Sequence, residues 1–411
     1  MNDLGNREFW DLPWEKRYAA FADLRATDGL PWYEEPEFPG FPKGNGFRVV
    51  TRHADVDEVS RNPDRFCSGQ GAVSILDLPA EAHEFFGSLI SMDAPRHTKI
   101  RRIAASAFTP RRVSGLIDDV ERIADEVLER ARAKARDNGG EFDLVTEISA
   151  PLPLLLICDM MGIPESRRAD VFTWSNMILA GDDPEYVSSE NPLQDYLTAG
   201  AGLSGLMTEL AASVQDEPRD DVLSALVHGE VDGERLTHQE IASFFILLCV
   251  AGNETTRNAV THGVWGMHVD PSARETWAAE PELPSAVDEV VRWASPINWM
   301  RRTVVDDTTV GGVPVSAGEK LLLVYGSANR DETVFAEPDR LDLRRSPNPH
   351  QGFGAHGPHF CLGAHLARRE AGVMFRRLLT EMPELEVVGE PDRLRSIFVN
   401  GIKHLPVRLP S

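Results

Sequence analysis

The sequence predicts a mostly helical α+β fold organised around one long central helix, and three observations carry that prediction. Apolar residues recur at helical spacing from Pro95 to about Val269. Within that region one stretch opens at Thr237 and runs without a breaker to Val269, before Asp270-Pro271. After Pro296 the pattern changes to short strands, then a loop rich in Gly and Pro, then a last helix.

In chain order, Trp14 to Ala26 reads as a helix and Phe47 to Thr51 as a strand. A glycine-bearing stretch, Ser68-Gly69-Gln70-Gly71, leads into Ala72 to Leu78. Ile117, Val120, Ile123, Ala124 and Val127 mark one face of a helix, and Leu152 to Met161 is a buried one ended by Gly162-Ile163-Pro164. Thr237-His238-Gln239-Glu240 matches the capping box, in which Thr and Glu satisfy free backbone donors at a helix start. The helix that follows would be roughly 45–50 Å long at about 1.5 Å per residue, enough to cross the molecule. Thr303-Val304-Val305, Thr308-Thr309-Val310 and Lys320 to Tyr325 read as strands, with Gly311-Gly312 as a tight turn. The final helix is expected from about Leu362. With no linker and no internal repeat, residues 1–411 are expected to form one domain.

The 411 residues are 42% hydrophobic and 26% charged, a globular composition, and carry a net charge of -23. That balance excludes general nucleic-acid binding, which needs a basic surface. Cys67, Cys158, Cys249 and Cys361 are too scattered for a zinc pair or a disulfide framework. There is no signal-like start and no apolar run of membrane length, so a cytoplasmic, unanchored protein is expected.

The chemistry concentrates in Phe353-Gly-Ala-His-Gly-Pro-His-Phe-Cys361-Leu-Gly-Ala-His-Leu-Ala-Arg368. A cysteine stands between a glycine-rich loop and a helix start. Gly354, Gly357 and Gly363 allow the backbone to turn and approach a flat ligand. A helix N-terminus favours negative charge, so a lowered thiol pKa is expected, with backbone N–H groups donating to sulfur. His359 adds a donor for an acidic group.

Gly357, His359, Cys361 and Gly363 resemble the haem-binding signature of the cytochrome P450 family. The family's usual phenylalanine position is occupied by Gly354, with Phe353 one residue further away. This longer loop is similar to that of actinobacterial enzymes acting on branched lipids and sterol side chains. The resemblance implies the triangular P450 fold, with the long helix over haem b and a small β region. It makes Cys361 the axial iron ligand; such a thiolate favours O–O cleavage.

Other segments extend the resemblance. Glu289-Val-Val-Arg292 places acid and base on one helix face and matches the family's Glu-x-x-Arg, with Arg340 in the third position of a structural lock. Ala251-Gly252-Asn253-Glu254-Thr255 resembles the oxygen-activation motif: Gly252 leaves room for O2, while Glu254 and Thr255 relay protons. His97 and Arg101, four apart, match the family's His-x-x-x-Arg, and Arg302 its later propionate arginine; Arg301 takes that role if the register is off by one.

The family needs external electrons. Basic residues from Arg96 to Arg112, with Arg368, Arg369, Arg376 and Arg377, would steer an acidic carrier. A ferredoxin with a separate ferredoxin reductase is therefore the expected partner, and the chain itself is expected to be a monomer. Val73, Ile75, Val250, Ala251, Ile297, Trp299 and Phe398 are expected to line an apolar substrate chamber, where each buried methylene contributes about 0.8 kcal/mol. Ile157 to Pro164, Asp232 to Gly263 and Ser327 to Glu332 look like blocks of actinobacterial terminal hydroxylases. They imply attack on a terminal methyl of a branched fatty acid, isoprenoid or sterol side chain. Two readings compete: hydroxylation or epoxidation of a terpenoid or polyketide, and a non-catalytic haem protein that binds ligands.

Overall fold

The structure is a computed structural model that describes residues 3–37, 43–107, 110–179, 183–187, 192–219 and 221–410. Its axis is the helix His238–Val269, 32 residues long. The capping box forms as the sequence implies: the Thr237 N–H donates to Glu240 Oε2 at 2.8 Å, and the Glu240 N–H donates to Thr237 Oγ1 at 3.2 Å. The helix is buried on most sides because helices pack all round it, among them Ala80–Gly87, Pro151–Met160, Glu165–Leu179, Pro192–Ser213, Ala286–Ala294 and Ala364–Glu381. Gly263 permits the tightest of these approaches: a Cβ there would stand 2.3 Å from the Phe375 ring.

Beside the helices lies a five-stranded sheet in the order Trp32–Tyr33, Phe47–Val50, Lys320–Val324, Trp299–Val304, Phe66–Cys67. Only the Phe47–Val50 and Lys320–Val324 pairing is parallel. Alternation splits its apolar residues between two cores. Val50, Val304, Leu321 and Leu323 enter one; Phe47, Val49, Trp299, Leu322 and Val324 enter the other. The hairpin Thr308–Val310 and Val313–Val315 turns on Gly311 and Gly312, both at positive φ.

Two strand features interrupt the expected helical region. Glu141–Asp143 joins the edge of a three-stranded sheet, after Gly139 and Gly140 break the preceding helix at positive φ. Glu230–Val231 and Glu234–Arg235 form a hairpin around Asp232-Gly233, whose φ values of 56° and 81° suit a tight two-residue turn. The final helix begins at Ala364, slightly later than expected. No described helix is long and apolar enough to cross a membrane.

Candidate active site

Cys361 ends the glycine-rich loop just before the helix Ala364–Glu381. Its N–H donates to the Phe353 carbonyl at 2.9 Å, so the loop closes on itself. The Phe353 ring is covered by Arg368, 4.3 Å away. The N–H groups of Gly363 and Ala364 reach the sulfur. Burial nevertheless pushes the thiol up, against those donors and the pull of Arg101 and Arg368. The lowering expected from helix position alone is thus outweighed by desolvation. The residue still presents accessible surface, while Cys158 and Cys249 do not. A sulfur that is both desolvated and accessible faces an interior space. A Cβ on Gly363 would meet nothing within 4 Å, so the backbone there borders the same space. Gly357 has a different task. Its Cβ would lie 2.2 Å from the Ser60 carbonyl, so the glycine admits the neighbouring helix.

A positively charged cluster stands beside the sulfur. The rings of His97 and His359 lie 4.3 Å apart. Arg101 donates to the Phe360 carbonyl at 2.6 Å, and buried Arg302 donates to the Arg301 carbonyl at 2.8 Å. Burial, then Arg302, His97 and Arg101, push His359 down to about 2. Burial and Arg101 lower His97 as well. His97 Nε2 and both ring nitrogens of His359 are buried without a hydrogen-bond partner. Unpaired buried polar atoms are costly; a neutral imidazole has one N–H to donate, and an anion would accept it. The residues therefore fit haem: sulfur for iron, and an imidazole–guanidinium group for carboxylates. Arg301 takes no part, since its guanidinium is bound to residues 74–77 and Thr303. Arg302, not Arg301, stands beside the imidazoles.

The central helix passes uninterrupted through 251–256. Leu247, Leu248, Val250, Ala251 and Thr255 keep accessible surface in the middle of the protein, which marks the face toward the interior space. Thr255 Oγ1 donates to the Ala251 carbonyl at 2.7 Å. Glu254 is buried and ion-paired with Arg257, accepts Asn258 Nδ2 at 2.8 Å, and Arg257 continues to Asn176 at 3.2 Å. Arg257 lies one turn beyond Glu254, a spacing that could have revealed it in the sequence. Gly252 also keeps accessible surface and has a packing role besides. Its Cβ would come 3.0 Å from Ile157 Cδ1, so its smallness serves packing on the Pro151–Met160 helix.

The lock also differs from expectation. Glu289 and Arg292 pair at 2.8 Å, both with no exposed side chain. The third member is Arg345, 3.1 Å from Glu289, not Arg340. Arg340 points out to Glu337 and contributes only its carbonyl, which accepts Arg292 Nη2 at 3.0 Å. Both arginines follow the same short stretch, and only the chain path after Asp342 brings the later one inward; nothing local in the sequence separates them.

Among the expected wall residues, Val73, Val250, Ala251, Ile297 and Phe398 are half-buried, as are Met300 and Ile397. Ile297 bridges to Val399, which joins the strand end to the 397–399 turn. Ile75 and Trp299 are corrections. At 4% and 1% exposure they sit in the core with Phe47 and Leu322, and Trp299 supports Phe398 from behind at 5.1 Å.

The basic surface is narrower than the sequence implied. Arg96 pairs with Glu84 and Glu240, Lys99 with Glu234, Arg368 with Asp288, and Arg376 and Arg377 with Glu121. The side chains of Arg111 and Arg112 lie outside the described residues. Arg102 reaches Asp232 at 3.8 Å, and exposed Arg369 and Phe360 flank Cys361 in the chain.

Comparison with known proteins agrees with this geometry. The cytochrome P450 family profile matches residues 203–387. A methyl-branched lipid omega-hydroxylase of Mycobacterium tuberculosis is 45% identical over 407 residues, 98% of this chain and 94% of the relative. A steroid C26-monooxygenase of Mycolicibacterium smegmatis is 38% identical over 94% of this chain and 89% of its own. The structure of a Mycobacterium marinum cytochrome P450 in complex with pseudoionone superposes with a TM-score of 0.90 at 39% identity, covering 98% of this chain and 97% of that one.

Proposed function

The chain belongs to the cytochrome P450 family and is a haem-dependent monooxygenase, and from that premise we propose that it hydroxylates the terminal methyl of a methyl-branched fatty acid, isoprenoid or sterol side chain. The observation that carries the chemistry is the accessible sulfur of Cys361 inside the protein, beside a cluster of imidazoles and guanidiniums that lacks an anion. The substrate class rests on the similarity to the branched-lipid hydroxylase along nearly the whole chain. We take residues 1–411 as one catalytic unit.

Cys361 is the iron ligand in this reading, and His97, Arg101, Arg302 and His359 receive the propionates. Bound haem supplies dioxygen activation and insertion of one oxygen atom into a C–H bond. The chain supplies orientation, exclusion of water and protons. The Thr255 hydroxyl, on the interior face of the central helix, holds a proton at Oγ1 for delivery there. Glu254, locked to Arg257 and Asn258, replenishes it once its carboxylate turns from those partners. Half-buried Val73, Val250, Ala251, Ile297, Met300 and Phe398 hold an apolar chain end-on. End-on presentation is required because terminal C–H bonds are stronger than their neighbours, so positioning must decide which carbon reacts.

An acidic ferredoxin, itself reduced by a ferredoxin reductase, is the electron donor in this reading. It docks at Phe360 and Arg369. The enzyme works as a cytoplasmic monomer, where the thiols of Cys67, Cys158 and Cys249 stay reduced.

The test is turnover. Holoenzyme with a ferredoxin, its reductase and NADPH should convert a methyl-branched fatty acid or a sterol ketone mainly to the terminal alcohol, with oxygen consumed in step. Oxidation of terpenoids or polyketides with no turnover of either lipid class would overturn the substrate assignment. Absence of product from all of them, with no oxygen uptake above the level of the redox partners alone, would leave a ligand-binding haem protein.

A further inference from the structure

A second cationic device lies under the Ala72–Leu78 segment. That segment runs between the propionate cluster and the helix Ala80–Gly87. At its start, the Ser68 and Gly69 N–H groups donate to Asp93 at 2.9 and 2.8 Å. Beyond its end, the helix is tied to the central helix through Ser243, whose hydroxyl donates to the Glu84 carbonyl. The segment is therefore anchored at both ends, and Val73 is its half-buried apolar side chain.

Acceptors at five of the six positions 72–77 converge on Arg301 and Lys320, two buried residues of adjacent strands. The Arg301 N–H donates to the Ala72 carbonyl at 2.8 Å. Arg301 Nη1 is shared among the carbonyls of Ser74, Ile75 and Leu76 at 3.3, 3.1 and 3.3 Å. Arg301 Nη2 meets Asp77 Oδ1 at 2.7 Å. Lys320 Nζ meets the other oxygen of Asp77 at 2.8 Å, the Ile75 carbonyl at 3.0 Å and buried Glu35 at 2.7 Å. Arg301 and Lys320 are 1% and 4% exposed. Gly71 leaves the room, since a Cβ there would be 2.8 Å from Arg301 Nη1. A planar fork with several donors can hold a run of carbonyls that a single ammonium cannot.

We propose that Arg301, acting with Lys320 and Asp77, is the positioning residue that holds the 72–78 segment rigid as a wall of the substrate chamber and so sets which carbon of the chain reaches the haem. The assignment rests on the terminal-hydroxylase reading given above. Arg301 touches no substrate; it acts through the main chain of the segment that carries Val73. The polar contacts made to the segment are to its backbone carbonyls and to the Asp77 carboxylate, so the wall keeps its shape independently of which apolar chain it meets.

The experiment uses holoenzyme with Arg301→Lys and, because that site is buried, also Asp77→Asn, whose side chain is 61% exposed in the pair. Hydrogen exchange at the Ser74 and Leu78 amides should accelerate by about tenfold in both variants. The ratio of terminal to penultimate alcohol should fall by about tenfold, with the thiolate carbon monoxide spectrum retained. If Arg301→Lys does not fold, Asp77→Asn decides alone. Unchanged exchange and an unchanged product ratio would overturn the proposal, as would faster exchange with the product ratio intact. Wild-type enzyme that turns over no branched lipid would remove the substrate reading, and the exchange rates would still judge whether the clamp holds the segment.

Discussion

The cluster around Glu289 and the cluster around His359 are both buried and charged, yet one is complete and the other is not. Glu289 Oε1 accepts Arg292, the Asp342 N–H and Arg345 at 2.8, 2.9 and 3.2 Å; Oε2 accepts Arg292, Arg345 and Asn348 at 2.8, 3.1 and 3.2 Å. Every lone pair has a donor and charge is opposed by charge. At the other cluster, Arg101, Arg302, His97 and His359 press on one another, and three ring nitrogens have no partner. The first arrangement is finished by the chain itself and holds the fold. The second is finished only by an anionic group, which is how a binding site differs from a structural lock.

The comparison is broken most directly at the lock. Glu289→Gln should destabilise the protein by about 3–5 kcal/mol, because two buried guanidiniums lose their counter-charge. Denaturant unfolding measures this. Arg340→Ala, on the solvent side of the same region, should change it by no more than about 0.5 kcal/mol. Equal losses would mean that the wrong arginine completes the lock.

At the open cluster the sign should depend on haem. Arg302→Ala should weaken haem retention by about tenfold, or roughly 1.4 kcal/mol, followed as transfer to a haem-scavenging apoprotein. Stability of the haem-free protein should stay level or rise, since one buried, mutually repelling cation is gone. Destabilisation of the haem-free form would make Arg302 a structural residue instead.

A smaller effect is expected at His404, which stands between the two extremes. Its Nδ1 lies 2.7 Å from Asp143 and its Nε2 2.8 Å from Glu185. Burial lowers its pKa, but hydrogen bonds to the two carboxylates outweigh it and the net shift is upward. Only the protonated ring donates to both. The folded pKa thus exceeds the unfolded value of about 6.5. The stabilisation is present in full below that pH and is lost as pH rises through the folded pKa. Melting temperatures of wild type and His404→Asn should therefore differ at pH 5–6 and converge in alkaline buffer; a constant gap would contradict the ion pairing.

Legibility differed by element for physical reasons. The central helix could be read to its ends because its cap, its apolar run and its Asp-Pro stop are all local. The Asp232-Gly233 hairpin carried an equally local turn signal, but it lies amid helical sequence and was absorbed by that pattern. Cys361 and its loop were legible because a thiol among glycines at a helix start leaves few structural alternatives. The packing of Gly252 on Ile157 was not legible, because a small residue reads the same whether it makes room for a ligand or for a side chain. Arg301 and Arg302 are neighbours of one type on one strand, and alternation sends them to opposite faces: one to the 72–78 segment, the other to the imidazole cluster.

The sequence by itself determined the helical body, the position of the long helix, the cysteine loop before the last helix and the paired Glu289 and Arg292, because caps, periodicity and i to i+3 spacing are properties of nearby residues. Tertiary structure alone decided that Arg345 replaces Arg340, that Ile75 and Trp299 back the chamber wall instead of lining it, and that Arg301 grips a loop more than 220 residues away in the chain. Those outcomes depend on which distant groups share a dehydrated space, and spacing along a chain carries no record of that.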